Sequence, residues 1–346
     1  MALHSRSVAM PILEWLASLP KAALDARPQL WVRSATLALM AGQTTGVEEK
    51  LQAAENALRG VELDEETRDL IGQIACARAT LAFTHYDPEA MITQAQRALE
   101  YLHPDDLSFL FTANWVLTTA FGFQGDRVAA ARACQECLAI SQKSGEIFSK
   151  LLATHGWGAI QELDNQLHQA AETYQQGLAL SGEHPLPHIA ETHLGLARIY
   201  YEWNELAAAE LHGQQSLQLA RQYDRVIDRF IVSEMFLARL KLARGNVAGA
   251  AATLAQTEQS ARQKNFILRL PEIAAAQALI QLRQGDVAAA ARLVQTHDLT
   301  LSQARVYRSS RPDARSPPQP GAGIPGARRC SQSAGPACAA APAYGS

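Results

Sequence analysis

The sequence lacks the features of a secreted, membrane-spanning or nucleic-acid-binding chain. It has 5 cysteines in 346 residues, and Cys76, Cys134 and Cys137 are scattered small hydrophobes in helical patterns, so no disulfide framework is expected. No apolar run approaches the roughly 20 residues that span a bilayer, and Pro11 and Glu14 interrupt the first apolar stretch. The net charge of −3 provides no basic excess for nucleic acid. We expect a cytoplasmic chain that binds neither nucleic acid nor a membrane directly.

Catalytic and cofactor motifs are also missing. The sequence contains no phosphate loop of the form GxxxxGKS or GxxxxGKT, no GxSxG nucleophile motif and no HExxH metal motif. Gly321, Gly323 and Gly326 spell GxGxxG, but they lie among prolines rather than between a strand and a helix, so the match is interpreted as coincidence. We therefore predict that the chain is not an enzyme and binds no cofactor.

Two groups of metal-type side chains fall short of a complete ligand set. Cys134 and Cys137 form a single CxxC without two further ligands at suitable spacing, so packing within a helix explains them. His184, His188 and His193 lie beside prolines that prevent a shared helical face, and we predict an interhelical loop there. No metal site is expected.

The sequence does contain an internal repeat with a period of 39 to 41 residues. Its turn residues are Thr45, Tyr86, Gly125, Asn165, Asn204, Gly245 and Gly285. Seven positions before them stand the mostly small residues Ala38, Ala79, Thr118, Gly158, Ala197, Ala238 and Ala278. Nine positions after them stand Ala54, Ala95, Cys134, Tyr174, Gly213, Leu254 and Val294. Self-similarity at such a period is typical of a solenoid.

Helical hairpins explain the repeat. Apolar positions recur at helical spacing on both sides of each turn residue, which is the pattern of two amphipathic helices joined by a tight turn. A hairpin that cannot bury its own apolar face stacks on its neighbours. We predict an all-α fold, a right-handed α-solenoid of helical hairpins with a concave groove.

The columns resemble the tetratricopeptide repeat (TPR), in which small residues lie seven positions before the turn and five and twelve positions after it. The fifth unit carries this series as Ala197, Asn204, Ala209 and Ser216. The period departs from the family, because tetratricopeptide units run about 34 residues. Longer helices or longer loops must absorb the difference.

The period and the opening segment also resemble the helical effector arm of the large MalT-like, LuxR-family bacterial transcription regulators. The resemblance is closest between Ile12 and Leu58, where ILEWLASLP, ARPQL and LQAAENAL occur in this order, and it extends to about Tyr307. In that family the arm receives an inducer or a regulatory protein and controls an upstream ATPase and a downstream helix-turn-helix DNA-binding domain. The resemblance implies a sensor arm, here a fragment without those two domains.

Three regions are predicted. A leading helical segment covers residues 1–29, the TPR-like superhelical repeat domain covers 30–307, and a Pro-, Gly-, Ser- and Arg-rich tail covers 308–346. The tail has no periodic apolar face and is expected to be disordered. The repeat stops in the middle of a helix pattern, as a reading-frame shift would cause, and a genuine linker is the alternative. Translation of the other two frames beyond Tyr307 distinguishes the two explanations.

The concave groove is the predicted functional surface. In tetratricopeptide-like stacks the first helix of each hairpin lines the groove, and its exposed positions lie about three, six and ten residues before the turn. These positions hold Trp115, Thr119, His155, Glu162, Arg198, Tyr201 and Arg239. Aromatic faces beside arginine and carboxylate groups suit a polar organic ligand or a peptide. The alternative for each residue is packing between repeats or an ordinary solvated position.

Two functions remain open at this point. The first is the sensor arm of a MalT-like LuxR-family regulator, which would bind a small polar inducer such as a sugar, or a regulatory protein or peptide. The second is a stand-alone tetratricopeptide-type scaffold for protein interactions. Upstream phosphate-loop codons and downstream helix-turn-helix codons in the neighbouring DNA would favour the first, and a self-contained gene would favour the second.

Overall fold

The computed structural model describes residues 2–182, 189–222, 228–297 and Leu299, and all regular structure within these ranges is helical. The helices are α1 (Ala2–Ser18), α2 (Lys21–Asp25), α3 (Pro28–Met40), α4 (Val47–Ala57), α5 (Glu65–Thr84), α6 (Pro88–Tyr101), α7 (Leu107–Gln124), α8 (Arg127–Ser144), α9 (Ile147–Leu163), α10 (Leu167–Ser181), α11 (Ile189–Glu202), α12 (Leu206–Arg221), α13 (Arg229–Ala243), α14 (Val247–Gln263), α15 (Leu270–Arg283) and α16 (Val287–Thr296), with a 3-10 turn at Ile267–Arg269. The predicted all-α fold is confirmed.

Seven hairpins follow one another along the described chain, from the pair α3 and α4 to the pair α15 and α16. We number them one to seven in this order. Their first helices begin 37 to 42 residues apart. The two helices of each hairpin contact each other, and each second helix also packs on the first helix of the next hairpin. This is the arrangement of a TPR-like solenoid.

The first helices of successive hairpins also contact one another along the whole series from α3 to α15. The second helices instead pack on first helices. Because the first helices approach each other more closely, they lie on the inner side of the curve. We call the surface formed by α3, α5, α7, α9, α11, α13 and α15 the inner face.

The turns between paired helices share one backbone conformation. In hairpins two to seven the turn residue adopts a left-handed conformation, with φ between 55° and 82°. The amide of the following residue then bonds back to a carbonyl five positions earlier, as in Asp126 N to Phe121 O at 2.9 Å. This is the Schellman motif that commonly ends helices. In hairpin one Gly42 and Gly46 are left-handed and Thr45 is not, and the bond from Gln43 N to Ala38 O closes the motif at Gly42, three residues earlier.

The predicted small columns form the interior of the stack. All seven residues that stand seven positions before the turns are buried: Ala38, Ala79, Thr118, Gly158, Ala197, Ala238 and Ala278. In the second column, Ala54, Ala95, Cys134 and Tyr174 have no exposed surface, whereas Val294 in α16 is exposed. Small residues at these points let helices approach closely enough to exclude water. Buried apolar clusters of this kind join each hairpin to the next.

The described helices belong to one compact unit, Met1–Arg308. The tail predicted for residues 308–346 lies outside the described residues. Within the described residues, no helix combines the length and the apolar character needed to cross a membrane.

Candidate functional site

The inner-face helices carry the seven predicted groove residues, and the structure groups six of them in three pairs. Trp115 and Thr119 lie one turn apart on α7, where the Thr119 hydroxyl donates a hydrogen bond to the Trp115 carbonyl at 3.1 Å. The indole of Trp115 is half-buried and packs towards α9. A Cβ atom added at Gly156 would lie 2.7 Å from the Trp115 ring, so the glycine makes room for the indole.

Glu162 and Arg198 form a bidentate polar contact on the inner face. The Arg198 guanidinium donates two hydrogen bonds to the Glu162 carboxylate, at 2.7 and 2.8 Å. The Tyr174 hydroxyl donates a third, at 3.0 Å. Burial opposes the charge of Arg198, but the Glu162 carboxylate raises the pKa of the guanidinium above its ordinary value. The three side chains join hairpins four and five by a charged, bidentate pair.

Two glycines make the burial of Tyr174 possible. Tyr174 stands in a column occupied elsewhere by small residues or Leu, and its side chain has no exposed surface. A Cβ atom added at Gly158 or at Gly195 would come within 3 Å of the Tyr174 ring. Burial raises the pKa of the Tyr174 phenol well above its ordinary value, so the hydroxyl stays protonated and donates its hydrogen bond.

Tyr201 and Arg239 form a second pair, between hairpins five and six. The Arg239 guanidinium lies over the Tyr201 ring, 4.5 Å from its centroid. The same guanidinium reaches the Glu202 carboxylate at 3.5 Å, and the Tyr201 ring meets the edge of Phe236. Both predicted residues are half-buried, so the pair is accessible from the groove.

His155 joins a different set of residues. Its ring stacks on Tyr174 at 5.7 Å, and its Nε2 atom lies 3.5 Å from the Glu191 carboxylate. Glu191 also forms an ion pair with Arg229. This series runs from the middle of α9 to the first turns of α11 and α13.

A charged cluster lies where α13 and α15 begin. Arg269 donates to the Asp228 carboxylate at 2.6 Å and to the Glu272 carboxylate at 2.8 Å. Burial opposes the charge of Arg269, but Glu272 and Asp228 raise its pKa, while burial raises the pKa of Glu272. The Tyr86 hydroxyl, from the turn of hairpin two, donates to Asp228 at 3.2 Å. This contact crosses the groove.

The sequence patterns missed most residues of these clusters. Glu191 and Glu272 lie thirteen positions before their turn residues, and Arg229 and Arg269 lie sixteen positions before theirs. Extending the predicted groove positions by two further helical turns would have found all four. Tyr174 was assigned to a buried column, and Tyr86 to a turn. No periodic signal predicts that Tyr174 reaches a carboxylate on its paired helix or that Tyr86 reaches one on another hairpin.

The cysteines and histidines behave differently from one another. Cys76, Cys134 and Cys137 are buried as free thiols, and burial raises the pKa of Cys134 to about 12. His184 and His188 lie outside the described residues. His193 lies inside α11 rather than in the predicted loop, because the helix begins at Ile189, and its Nδ1 atom is 2.9 Å from Nδ1 of His212. The described residues contain no grouping of three side chains suited to a metal.

Two surface depressions are lined by residues other than the predicted groove residues. One is lined by residues of α2 and α4, including Lys21 and Glu48. The other is acidic and contains Asp64, Asp69 and Asp106. These three carboxylates accept backbone hydrogen bonds from the first turns of α5 and α7 and from the loop after α6. They cap helices and support a loop, so neither depression competes with the inner face as a binding surface.

Comparisons with known proteins agree with this geometry. The sequence profile described as MalT-like TPR region matches residues 72–312. No curated protein matches the chain. Three solved structures share the fold at 10 to 13% identity.

A Rap protein complexed with Competence and Sporulation Factor has a TM-score of 0.68 and 10% identity, with 89% of each chain covered. The Rap conjugation gene regulator of the plasmid pLS20, in complex with the Phr* peptide, has a TM-score of 0.54 and 11% identity, with 81% of this chain and 95% of that chain covered. A Signal Transduction ATPase with Numerous Domains that has a tetratricopeptide repeat sensor, from Pyrococcus horikoshii, has a TM-score of 0.52 and 13% identity. The match covers 87% of this chain and 48% of that chain.

Proposed function

The chain belongs to the family of MalT-like TPR regions, and from this premise we propose that it is a non-catalytic sensor arm that binds a peptide segment along its inner face. The observation that carries the proposal is the inner face itself. It presents half-buried aromatic rings and paired charges on five successive first helices, from α7 to α15. An extended peptide can contact several hairpins at once, whereas a small ligand contacts few.

The predicted groove residues divide into two roles under this proposal. Trp115, Thr119, Tyr201 and Arg239 are half-buried and contact the peptide. Glu162, Arg198 and His155 form contacts between hairpins four and five, and these residues position the groove rather than touching the peptide. In α15 the corresponding groove positions are exposed and apolar, with Leu279 43% and Leu282 51% exposed. The groove therefore offers an apolar end beyond its charged centre.

The wider role follows the resemblance to MalT-like, LuxR-family regulators. In that role, peptide binding by this arm would control an upstream ATPase and a downstream helix-turn-helix domain, neither of which is present in the sequence. The fold shared with a tetratricopeptide sensor of a signal-transduction ATPase supports it. The alternative is a stand-alone interaction scaffold, and the coding DNA on both sides, read in all frames, decides between the two.

Selection from a random peptide library on the full chain tests peptide binding. A selected peptide should bind the double variant Leu279→Asp, Leu282→Asp at least about tenfold more weakly, since a charge in an apolar contact of this kind costs about 1.4 kcal/mol or more. The matched control is the double variant Val128→Asp, Leu211→Asp. It places the same charges on exposed apolar positions of the second helices α8 and α12.

The control should bind the peptide as the unmodified chain does. Equal loss in both double variants, or failure to select any peptide, would overturn the proposal. Saturable binding of a neutral oligosaccharide, without binding of a peptide, would show that the ligand is a sugar inducer and not a peptide.

A further inference from the structure

Tyr86 links hairpin two to hairpins six and seven across the groove. Its hydroxyl donates a hydrogen bond to Asp228, a residue 142 positions away in the sequence. The Arg269 guanidinium lies over its ring, 5.5 Å from the centroid, and Phe123 lies 5.9 Å away on the near side. A side chain of one end of the repeat series is thus seated among residues of the other end.

The ion pairs that form the pocket around Tyr86 do not involve Tyr86 itself. Arg269 is held by Asp228 on one side and by Glu272 on the other, at 2.6 and 2.8 Å. With Tyr86 in place, the Arg269 and Glu272 side chains are only 17% and 11% exposed. These bonds lie within hairpins six and seven, so they persist when Tyr86 leaves. The pocket is therefore preorganised for a ring that carries a hydroxyl group.

The backbone of Tyr86 is strained. Its φ of 55° lies in the left-handed region, which costs a residue with a Cβ about 1–2 kcal/mol. The equivalent turn residues are Gly125, Asn165, Asn204, Gly245 and Gly285, types that adopt this conformation more easily. A bulky residue persists in such a conformation only where other contacts offset the strain. Here those contacts are the ones that its side chain makes across the groove.

We propose that the pocket formed by Asp228, Arg269 and Glu272 is a subsite for a tyrosine side chain of the peptide partner, and that Tyr86 fills it until the partner displaces it. This inference rests on the proposed function, since the competing tyrosine is part of a peptide in the groove. In the absence of the peptide, Tyr86 then occupies the subsite, and its contact with Asp228 holds the groove closed.

The chemistry of the pocket defines the residue that it accepts. The guanidinium offers a flat cation for an aromatic face, and the Asp228 carboxylate accepts a hydrogen bond from a phenol. Leucine supplies neither contact, and phenylalanine supplies only the first. Burial raises the pKa of Tyr86 to about 12, so the phenol seen here is the protonated donor.

The variant Tyr86→Gly of the full chain tests the proposal. Glycine occupies the same turn position in hairpins three, six and seven, so the fold is expected to tolerate it. The probes are N-acetyl-L-tyrosinamide and, as its control, N-acetyl-L-leucinamide, titrated by NMR. The tyrosine amide should bind Tyr86→Gly about tenfold more tightly than the unmodified chain, because the closed state no longer competes. The leucine amide should show no such difference.

Two further variants identify the pocket. Asp228→Asn in the Tyr86→Gly background should remove most of the gain for the tyrosine amide. Tyr101→Ala should leave binding unchanged, because Tyr101 makes a similar contact with Arg68 but lies at the end of α6, outside the inner face. If circular dichroism shows that Tyr86→Gly is unfolded, Tyr86→Asn takes its place, after the asparagines of hairpins four and five.

Equal affinity of the tyrosine amide for Tyr86→Gly and the unmodified chain would overturn the inference. So would a gain that is the same for the leucine amide. Library peptides that bind in the groove without tyrosine, with equal affinity for both proteins, would leave the proposed function intact while refuting the subsite.

Discussion

Two tyrosines show how the interior of the stack differs from its groove. Tyr174 and Tyr86 each donate a hydroxyl to a carboxylate, at 3.0 and 3.2 Å, and each lies beside an arginine. The carboxylate that Tyr174 contacts belongs to Glu162, twelve residues away in the adjacent helix. The carboxylate that Tyr86 contacts belongs to Asp228, 142 residues away. The same chemistry therefore serves a local contact in one region and a contact across the groove in the other.

The surroundings of the two rings explain what each contact can do. Around Tyr174, Gly158 and Gly195 leave a space that the ring fills, and the side chain has no exposed surface. Removing that ring would leave a cavity and an incompletely bonded Glu162. Around Tyr86 the ring is only half-buried, and its pocket is held together by bonds that do not involve it. The first contact belongs to the core, and the second can open while the hairpins stay folded.

The largest effect on this comparison is expected from Tyr174→Ala. Loss of a fully buried aromatic side chain costs about 3–5 kcal/mol of unfolding free energy, because the surrounding structure closes the cavity only in part. Urea unfolding followed by circular dichroism measures it. Tyr101→Ala, which removes a half-buried tyrosine at the end of α6, is the control and should cost less than about 1 kcal/mol.

A loss below 1 kcal/mol for Tyr174→Ala would show that the interior around Gly158 and Gly195 collapses freely. Tyr174 would then be no more a core residue than Tyr86, and the comparison would fail.

A smaller effect is expected from Gly195→Ala. The added methyl group would overlap the Tyr174 ring, and overpacking of a filled core costs about 1–3 kcal/mol. Gly122→Ala is the matched control, since that helical glycine is exposed and has no atom within 4 Å of the added carbon. The control should be neutral or slightly stabilising, because alanine restricts the unfolded chain. Equal urea midpoints for both variants would contradict the tight fit of Tyr174.

The periodic part of the fold could be predicted from the sequence. The turn residues fell at a repeated spacing because a Schellman turn needs a residue that tolerates positive φ, and Gly125, Asn165 and Gly245 satisfy this need. The columns of small residues could be predicted because close packing of the helices restricts side-chain size at the same point of every hairpin. Thr45 failed as a turn residue, since Gly42 three positions earlier is better suited to the left-handed conformation.

The charged contacts could be predicted only in part. The groove positions predicted three, six and ten residues before each turn include Glu162 and Arg198. The structure joins these two side chains because both lie on the inner side of neighbouring first helices. The contact of Tyr86 with Asp228 depends on how far the stack curves over four hairpins. That curvature is the sum of small rotations between hairpins, and no local pattern in the sequence encodes it.

The smallest effect, and the sharpest contrast with Tyr174, is expected from Tyr86→Gly. The variant loses one hydrogen bond, worth about 1 kcal/mol, and a cation–π contact worth about 0.5–1 kcal/mol. It also relieves a left-handed conformation that costs about 1–2 kcal/mol. Partial burial of the ring and the greater freedom of glycine in the unfolded chain add to the losses, so the unfolding free energy in urea should fall by less than about 2 kcal/mol. A loss of 3 kcal/mol or more would place Tyr86 in the cooperative core with Tyr174, and its contact could then not open without unfolding the hairpins that it joins.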